Sequence, residues 1–214
     1  KKRFENYKQQ PLEFVFDKSF TGKLSQFGLD PNRRTPSGIK AAIIREKGTN
    51  GEREMAYMLY LAGFDVKDVT MTDLISGRET LEDINMVVYC GGFSNSDVLG
   101  SAKGWAGSFL FNPKAKAALD NFYAREDTLS LGVCNGCQLM MELGLITPED
   151  KKKGKMLHND SHKFESNFLG VTVPMNRSVM FGSLSGSKLG IWVAHGEGKF
   201  SLPYPEDHYN VVLK

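Results

Sequence analysis

Apolar and polar positions follow two different periods between residues 39 and 144. Short apolar runs have the length and continuity of strands that are buried on both faces, and longer segments repeat apolar side chains at helical spacing. The predicted strands are 41–44, 64–69, 86–90 and 129–133, and the predicted helices are 55–62, 113–123 and 136–143. Strands that alternate with helices form a mostly parallel sheet with helices on both faces, so the pattern predicts an α/β fold.

The pattern changes on either side of this region. After Gly144, short apolar stretches follow one another without helical repeats, which predicts an antiparallel extension. These stretches are 171–173, 178–181, 191–194 and 211–213. Residues 1–38 have weak periodicity and several prolines and glycines. We interpret them as a linker from an upstream domain, with one short element at Leu12–Phe16, and residues 39–214 as a single domain.

Composition and charge exclude several classes of protein. The chain has 214 residues, of which 41% are hydrophobic and 24% are charged, as is typical of a globular protein. Its net charge of +2 gives no basic field for nucleic acid. No apolar run approaches the roughly 18 residues of a membrane-spanning helix, and the polar start lacks the core of a signal peptide. An odd number of cysteines argues against a disulfide scaffold and fits the reducing cytosol, so we expect a cytoplasmic protein.

Cys134 stands where a predicted strand meets a predicted helix. The sequence Gly-Val-Cys-Asn-Gly-Cys-Gln at 132–138 has the layout of a nucleophile elbow, with sulfur in place of the serine oxygen. Such a turn needs small flanking residues, which Gly132 and Gly136 provide. At the start of a helix the sulfur lies at the positive end of the helix dipole, which favours the thiolate, the attacking form. We therefore interpret Cys134 as a catalytic nucleophile.

A second glycine-containing loop ends another predicted strand. Acyl transfer needs backbone N–H donors that are aimed at the developing oxyanion. We expect one donor from Asn135, the residue after the nucleophile. We expect the other from Gly92 in the loop Gly91–Ser94, because ligands bind at the carboxyl ends of parallel strands. A glycine turn that only lets the chain bend is the alternative for this loop.

Three other interpretations of the cysteines stay open. Free cysteines are commonly small core residues, which is our interpretation of Cys137 and an alternative for Cys134. The Cys-x-x-Cys spacing is also that of a thioredoxin-like redox pair, a motif that does not require the flanking glycines. Zinc held by both cysteines with His158 and His162 is the third alternative, although the gap between the two pairs exceeds that of a zinc finger.

Taken together, these motifs resemble the class I glutamine amidotransferase domain. The segments that carry the resemblance are Arg45–Asn50, Cys90–Gly100, Gly104–Ala106, Gly132–Gln138, Asn159–Glu165 and His195–Gly198. The resemblance covers residues 39–214 and is greatest to the C-terminal glutaminase part of large single-chain members that act in purine biosynthesis. With the alternating pattern, it leads us to expect a flavodoxin-like α/β sheet with an antiparallel extension.

The resemblance implies glutamine hydrolysis. Cys134 would attack the side-chain amide of glutamine to form a γ-glutamyl thioester and release ammonia, and water would then cleave the thioester. Gly92 and Asn135 would form the oxyanion hole. The residues that the resemblance places in the glutamine pocket are Gly91, Phe93, Gln138, Asn159, Ser161, His195 and Gly196.

The resemblance also implies a partner with its own cofactors. Ammonia would pass to a synthetase domain of the same enzyme, which uses ATP and Mg²⁺ to amidate formylglycinamide ribonucleotide. We expect no cofactor and no metal in the glutaminase domain itself, and no Gly-x-x-x-x-Gly-Lys phosphate loop occurs in the sequence. The alternative function is a non-catalytic or redox-sensing domain with a cysteine at the same elbow.

One part of the family pattern does not occur in the sequence. A thiol nucleophile needs a general base, usually a histidine oriented by a carboxylate, and in this family both belong to a C-terminal His-Pro-Glu motif. We expect the domain to be truncated before that motif and to have little glutaminase activity alone. His195-Gly196-Glu197 has the same spacing, but the matching family segment lies upstream of the dyad and lines the glutamine pocket. A catalytic base and a simple turn residue stay open as alternatives for His195.

Overall fold

The chain divides into two units, each of which is described by itself. The computed structural model describes Glu5 and residues 12–214. The larger unit consists of Lys23–His158 and Glu197–Ser201, and the smaller unit of the chain up to Gly22, Asn159–Gly196 and Leu202–Lys214. Among the described residues, no helix has the length and apolar character needed to cross a membrane.

Strands and helices alternate through the larger unit. The strands of the chain are β1 Lys40–Arg45, β2 Thr49–Asn50, β3 Asp65–Thr70, β4 Met86–Tyr89, β5 Gly91–Gly92, β6 Leu129–Gly132, β7 Lys155–Leu157, β8 Glu165–Thr172, β9 Lys188–His195 and β10 Lys199–Ser201. The α-helices within residues 12–214 are α1 Glu52–Leu61, α2 Met71–Ser76, α3 Lys103–Leu110, α4 Pro113–Tyr123 and α5 Asn135–Leu143. Strands β1, β3, β4 and β6 form a parallel sheet in the order β3-β1-β4-β6, and small antiparallel pairs accompany it. The predicted fold class is therefore confirmed.

The two central strands are buried on both faces. Ala42 and Ile44 of β1 pack into one apolar cluster, together with side chains of α2, α3, α4 and α5. Ala41 and Ile43, which point the opposite way, pack into a second cluster with Leu59 of α1. Each fully buried isoleucine or leucine side chain contributes about 1.5–3 kcal/mol. The continuous apolar run that predicts β1 thus reflects a helix layer on each side of the sheet.

Local capping fixes the helix ends that the sequence predicts. The Asn112 side chain accepts hydrogen bonds from the N–H groups of Lys114 (3.1 Å) and Ala115 (3.0 Å), and Pro113 occupies the first helical position of α4. Gly144 ends α5 in the left-handed conformation. These two signals place α4 and α5 within one residue of their predicted bounds.

Within the larger unit, the chain ahead of β1 is held to β3 and α1 through Arg33. Its guanidinium lies 2.7 Å from the carboxylate of Asp65 and 5.1 Å from the ring centroid of Tyr60. The hydrogen bond from Arg33, followed by those from the N–H groups of Ser37 and Gly38, lowers the pKa of Asp65 to about 2. That the predicted linker connects to an upstream domain stays a prediction.

An antiparallel ribbon forms the centre of the smaller unit. Strand β8 pairs with β9 along its whole length, from Glu165 opposite His195 to Thr172 opposite Lys188. Of the element predicted at Leu12–Phe16, only Val15 forms an isolated bridge, to Lys188.

Two of the strands predicted after Gly144 are wrong. Residues 178–181 form a turn that leads into a short 3-10 helix, because the Ser178 hydroxyl accepts hydrogen bonds from the N–H groups of Met180 and Phe181. Residues 211–213 are irregular. The next residue, Lys214, exchanges both backbone hydrogen bonds with Thr172, but the contact does not extend into a strand.

Candidate active site

Cys134 lies in a sharp turn between β6 and α5. Its backbone has φ 52° and ψ −109°, a conformation that a residue with a side chain rarely adopts, and its side chain is exposed. Such a conformation costs about 1–3 kcal/mol and persists only where the surrounding structure enforces it. The structure therefore forms the strand-turn-helix arrangement predicted for this sulfur, and its exposure contradicts the alternative of a core cysteine.

Close packing around two glycines enforces the turn. A Cβ atom at Gly136 would lie 2.1 Å from the carbonyl oxygen of Tyr89 in β4. A Cβ atom at Gly132 would lie 2.7 Å from both the carbonyl oxygen of Gly136 and the sulfur of Met140. Because neither position has room for a side chain, helix α5 begins directly against the end of the sheet.

The glycine loop lies beside the cysteine. A Cβ atom at Gly91 would be 3.3 Å from the Cβ atom of Cys134. In the β2–β5 pair, Phe93 donates a hydrogen bond to Gly48 (2.9 Å), so Thr49 and Gly92 form a non-hydrogen-bonded pair. The N–H of Gly92 consequently points away from β2, as an oxyanion donor requires.

The second proposed oxyanion donor is the backbone N–H of Asn135. As the first residue of α5, Asn135 has an N–H with no acceptor inside the helix. The roles of Gly92 and Asn135 at an oxyanion stay predictions.

A chain of side-chain amides runs behind the elbow. The buried Asn135 side chain accepts a hydrogen bond from the N–H of Ser94 (3.0 Å) and donates one to the side-chain oxygen of Gln138 (2.8 Å). Gln138 in turn donates to the carbonyl oxygen of Glu197 (3.0 Å). That Gln138 binds glutamine stays a prediction, and in this structure its carboxamide contacts Asn135 and Glu197.

The loop after Ser94 is strained and held by carboxylates. Five of its residues that are not glycine have positive φ: Asn95, Ser96, Asp97, Ser101 and Ala102. The Asp97 carboxylate accepts a hydrogen bond from the N–H of Ala102 (2.9 Å). One oxygen of Glu197 accepts from the N–H (2.7 Å) and hydroxyl (3.1 Å) of Ser101. These two carboxylates are not predicted from the sequence, because an acidic residue gives no local sign of the group that it will bind in the folded chain.

Four of the predicted pocket residues come together in the smaller unit. The ring Nδ1 of His195 lies 2.9 Å from the side-chain oxygen of Asn159, whose amide donates to the carbonyls of His195 (2.8 Å) and Lys163 (3.0 Å). The N–H of Asn159 also donates to the carbonyl of Gly196 (2.9 Å). Ser161 is exposed in the same loop. The His195 side chain thus contacts Asn159, and the Glu197 side chain contacts Ser101.

The other two cysteines have environments unlike that of Cys134. Cys90 is buried, and burial, followed by the charges of Glu52 and Asp68, raises its pKa to about 11. Cys137 is half-buried, and burial, followed by the neighbouring Cys134, raises its pKa. Within residues 12–214, no group of three or more His, Cys, Asp or Glu side chains comes close enough to hold a metal.

Comparisons with known proteins match this architecture. Residues 38–212 match the family model of the CobB/CobQ-like glutamine amidotransferase domain. The chain is 44% identical over 189 residues to human phosphoribosylformylglycinamidine synthase, covering 81% of this chain and 14% of the relative. It is 44% identical over 175 residues to the Drosophila melanogaster protein of the same name, covering 79% of this chain and 13% of that relative. The chain therefore spans about an eighth of the length of these relatives.

A solved structure agrees with the sequence comparisons. The structure of PurLQS from Thermotoga maritima superposes with a TM-score of 0.63 at 28% sequence identity, over 82% of this chain and 74% of that chain.

Proposed function

Because the chain belongs to the CobB/CobQ-like glutamine amidotransferase domain family, we propose that it is a glutaminase that supplies ammonia to the synthetase part of a phosphoribosylformylglycinamidine synthase. The observation that carries this proposal is the exposed sulfur of Cys134, held in a strained turn of positive φ at the start of α5 and beside the Gly91-Gly92 loop. A structural cysteine needs neither the strained turn nor the adjacent backbone donors.

The reaction begins at the thiolate of Cys134. The sulfur attacks the side-chain amide carbon of glutamine, and the carbonyl oxygen becomes an oxyanion. The N–H groups of Gly92 and Asn135 hold that charge, and one such donor contributes about 10²–10³-fold to the rate. When the tetrahedral intermediate collapses, the C–N bond breaks, the nitrogen takes up a proton from solvent water, and ammonia departs to leave a γ-glutamyl thioester on Cys134.

Water completes the cycle. It attacks the same carbon, its two protons pass to the solvent, the oxyanion forms again in the same hole, and the C–S bond breaks to give glutamate and the Cys134 thiolate. His195 contributes to substrate binding in this proposal, because the matching family segment lines the glutamine pocket, and its Nδ1 lies 2.9 Å from the side-chain oxygen of Asn159. Gly91, Phe93, Ser161 and Gly196 are the further residues proposed to line the pocket.

Ammonia then serves the synthetase part. We assign ATP and Mg²⁺ to that part, where they support amidation of formylglycinamide ribonucleotide. This assignment rests on the names of the relatives and on the share of their length that the chain covers.

Labelling with a glutamine chloroketone tests the nucleophile. We expect one equivalent of the analogue to modify Cys134 of the full-length protein, glutamine to protect it, and Cys90 and Cys137 to stay unmodified in peptide mass spectra. Replacing Cys134 with alanine should lower glutamine-dependent amidation by more than about 10³-fold, while amidation from added ammonium salts continues. Glutamine-dependent turnover that survives Cys134→Ala would contradict the proposal. A Cys134–Cys137 disulfide that forms rapidly in place of labelling would favour a redox sensor.

A further inference from the structure

The amide chain behind the elbow has a fixed direction. It begins at a donor, the backbone N–H of Ser94, and ends at an acceptor, the carbonyl oxygen of Glu197. The carboxamide of Asn135 must therefore turn its oxygen to Ser94 and its nitrogen to Gln138. Gln138 must turn its oxygen to Asn135, which leaves its nitrogen for Glu197. The Ser94 donor and the Glu197 acceptor thus determine the orientation of both side-chain amides.

The same series of hydrogen bonds connects the two ends of the strained loop that follows Ser94. Asn135 holds the start of the loop at Ser94, and the carboxylate of Glu197 holds its end at Ser101. Gln138 joins the two anchors through the Glu197 carbonyl. The loop follows the Gly91-Gly92 segment closely, since Gly92 is only two residues before Ser94. A shift of Ser94 would therefore change the direction in which the Gly92 N–H points.

We propose that the side chain of Asn135 is a positioning group for the oxyanion hole, which keeps the Gly92 N–H aimed at the reacting carbonyl by accepting the Ser94 N–H. The inference rests on the proposed function and extends it. The backbone of Asn135 supplies one donor, and its buried side chain fixes the loop that supplies the other. One residue thereby sets the distance between the two donors.

Burial explains why this bond matters. Asn135 is 1% exposed and Ser94 is also 1% exposed, so water cannot replace a lost partner. An unsatisfied buried N–H loses its bond to water without gaining another, and this penalty is enough to make a strained loop adopt another conformation. A donor displaced by about 1 Å loses most of its stabilisation of the transition state.

Replacing Asn135 with leucine or aspartate in the full-length protein tests the proposal. Leucine has a similar size and accepts no hydrogen bond, so we expect kcat for glutamine hydrolysis to fall about 10–10²-fold with little change in KM. Aspartate in its protonated form reproduces the whole pattern, because one oxygen accepts from Ser94 while the other donates to Gln138. Its ionised form cannot donate to Gln138 and places a negative charge beside the oxyanion.

The pH profile separates positioning from packing. We expect the ratio of Asn135→Asp activity to parent activity to rise at least about 10-fold as the pH falls through the range in which a buried carboxyl takes up its proton. Asn112→Asp is the matched control, since aspartate also caps a helix, and its ratio should stay flat. A flat ratio for Asn135→Asp, or full kcat in a folded Asn135→Leu variant, would overturn the inference. Loss of the Cys134 requirement would instead refute the proposed function.

Discussion

Replacing Gly136 with alanine tests how strictly the start of α5 is held against the sheet. The new Cβ atom would lie 2.1 Å from the carbonyl oxygen of Tyr89 and 2.6 Å from its carbonyl carbon. Both are backbone atoms of a central strand, which cannot rotate away as a flexible side chain does. Ordinary contact begins at 3.4 Å, so the helix start must move by more than about 1 Å.

The magnitude follows from two opposing effects. Alanine in a helix is favoured over glycine by about 1 kcal/mol, whereas overpacking a dense core costs typically about 1–3 kcal/mol and occasionally more. Since the clash at Gly136 is with the backbone, we expect a net loss of about 2 kcal/mol in the free energy of unfolding. We also expect glutaminase activity to fall about 10²-fold, because Cys134 moves with the helix. Urea unfolding of the domain and initial rates of glutamate release by the full-length protein measure the two effects.

Gly107→Ala provides the matched control. It is the same substitution inside helix α3, where the new Cβ atom would meet the ring of Phe111 at an ordinary 3.7 Å. We expect this variant to be as stable as the parent or more stable by up to about 1 kcal/mol, with full activity. If Gly136→Ala matched the control in both assays, close packing at Gly136 would not be what enforces the elbow.

Three further predictions follow from individual contacts. Asn112→Ala removes the cap of α4 and should lower the free energy of unfolding by about 1 kcal/mol in urea titrations, without changing activity. The lowered pKa of Asp65 makes its ion pair stabilising above the ordinary carboxyl pKa of 3.8, and this contribution is lost as the pH falls towards 2. Asp65→Asn should therefore flatten the acid limb of the stability profile, measured by circular dichroism. A small maleimide at pH 8 should modify Cys134 within minutes and Cys90 only after unfolding, because Cys90 is buried with a pKa of about 11.

The sequence predicts the elements whose signals are local. The run that becomes β1 is buried on both faces, and Gly144 takes the left-handed conformation that ends α5. Helix α2 is short and lacks a helical repeat of useful length, although Thr70 and Asp73 form a capping box that could have marked its start. The start of helix α3 has no capping signal in the sequence, because its N-cap is Ala102, in the left-handed conformation, rather than a polar residue.

The candidate site divides in the same way. The elbow can be predicted because the turn requires small residues on either side of Cys134, and Gly132 and Gly136 are close to it in the sequence. The hydrogen bonds from Ser94 to Asn135 and from Ser101 to Glu197 cannot be predicted, because the partners are distant in the chain and meet only when it folds. The short apolar stretch at 178–181 likewise predicts a strand, but the hydroxyl of Ser178 accepts two backbone hydrogen bonds and forms a turn instead.

The pairing of β7 with β10 has a practical consequence for protein engineering. Leu157 and Lys199 are opposite each other in this antiparallel pair, although residues 158–198 separate them in the chain. Paired strands lie about 5 Å apart, a gap that an Asn-Gly hairpin spans. Residues 159–196, which belong to the smaller unit, can therefore be excised and His158 rejoined to Glu197 by a short loop that contains such a dipeptide. This change keeps the contacts of Glu197 with Ser101 and Gln138 and would yield a minimal version of the larger unit for crystallisation or for grafting other inserts.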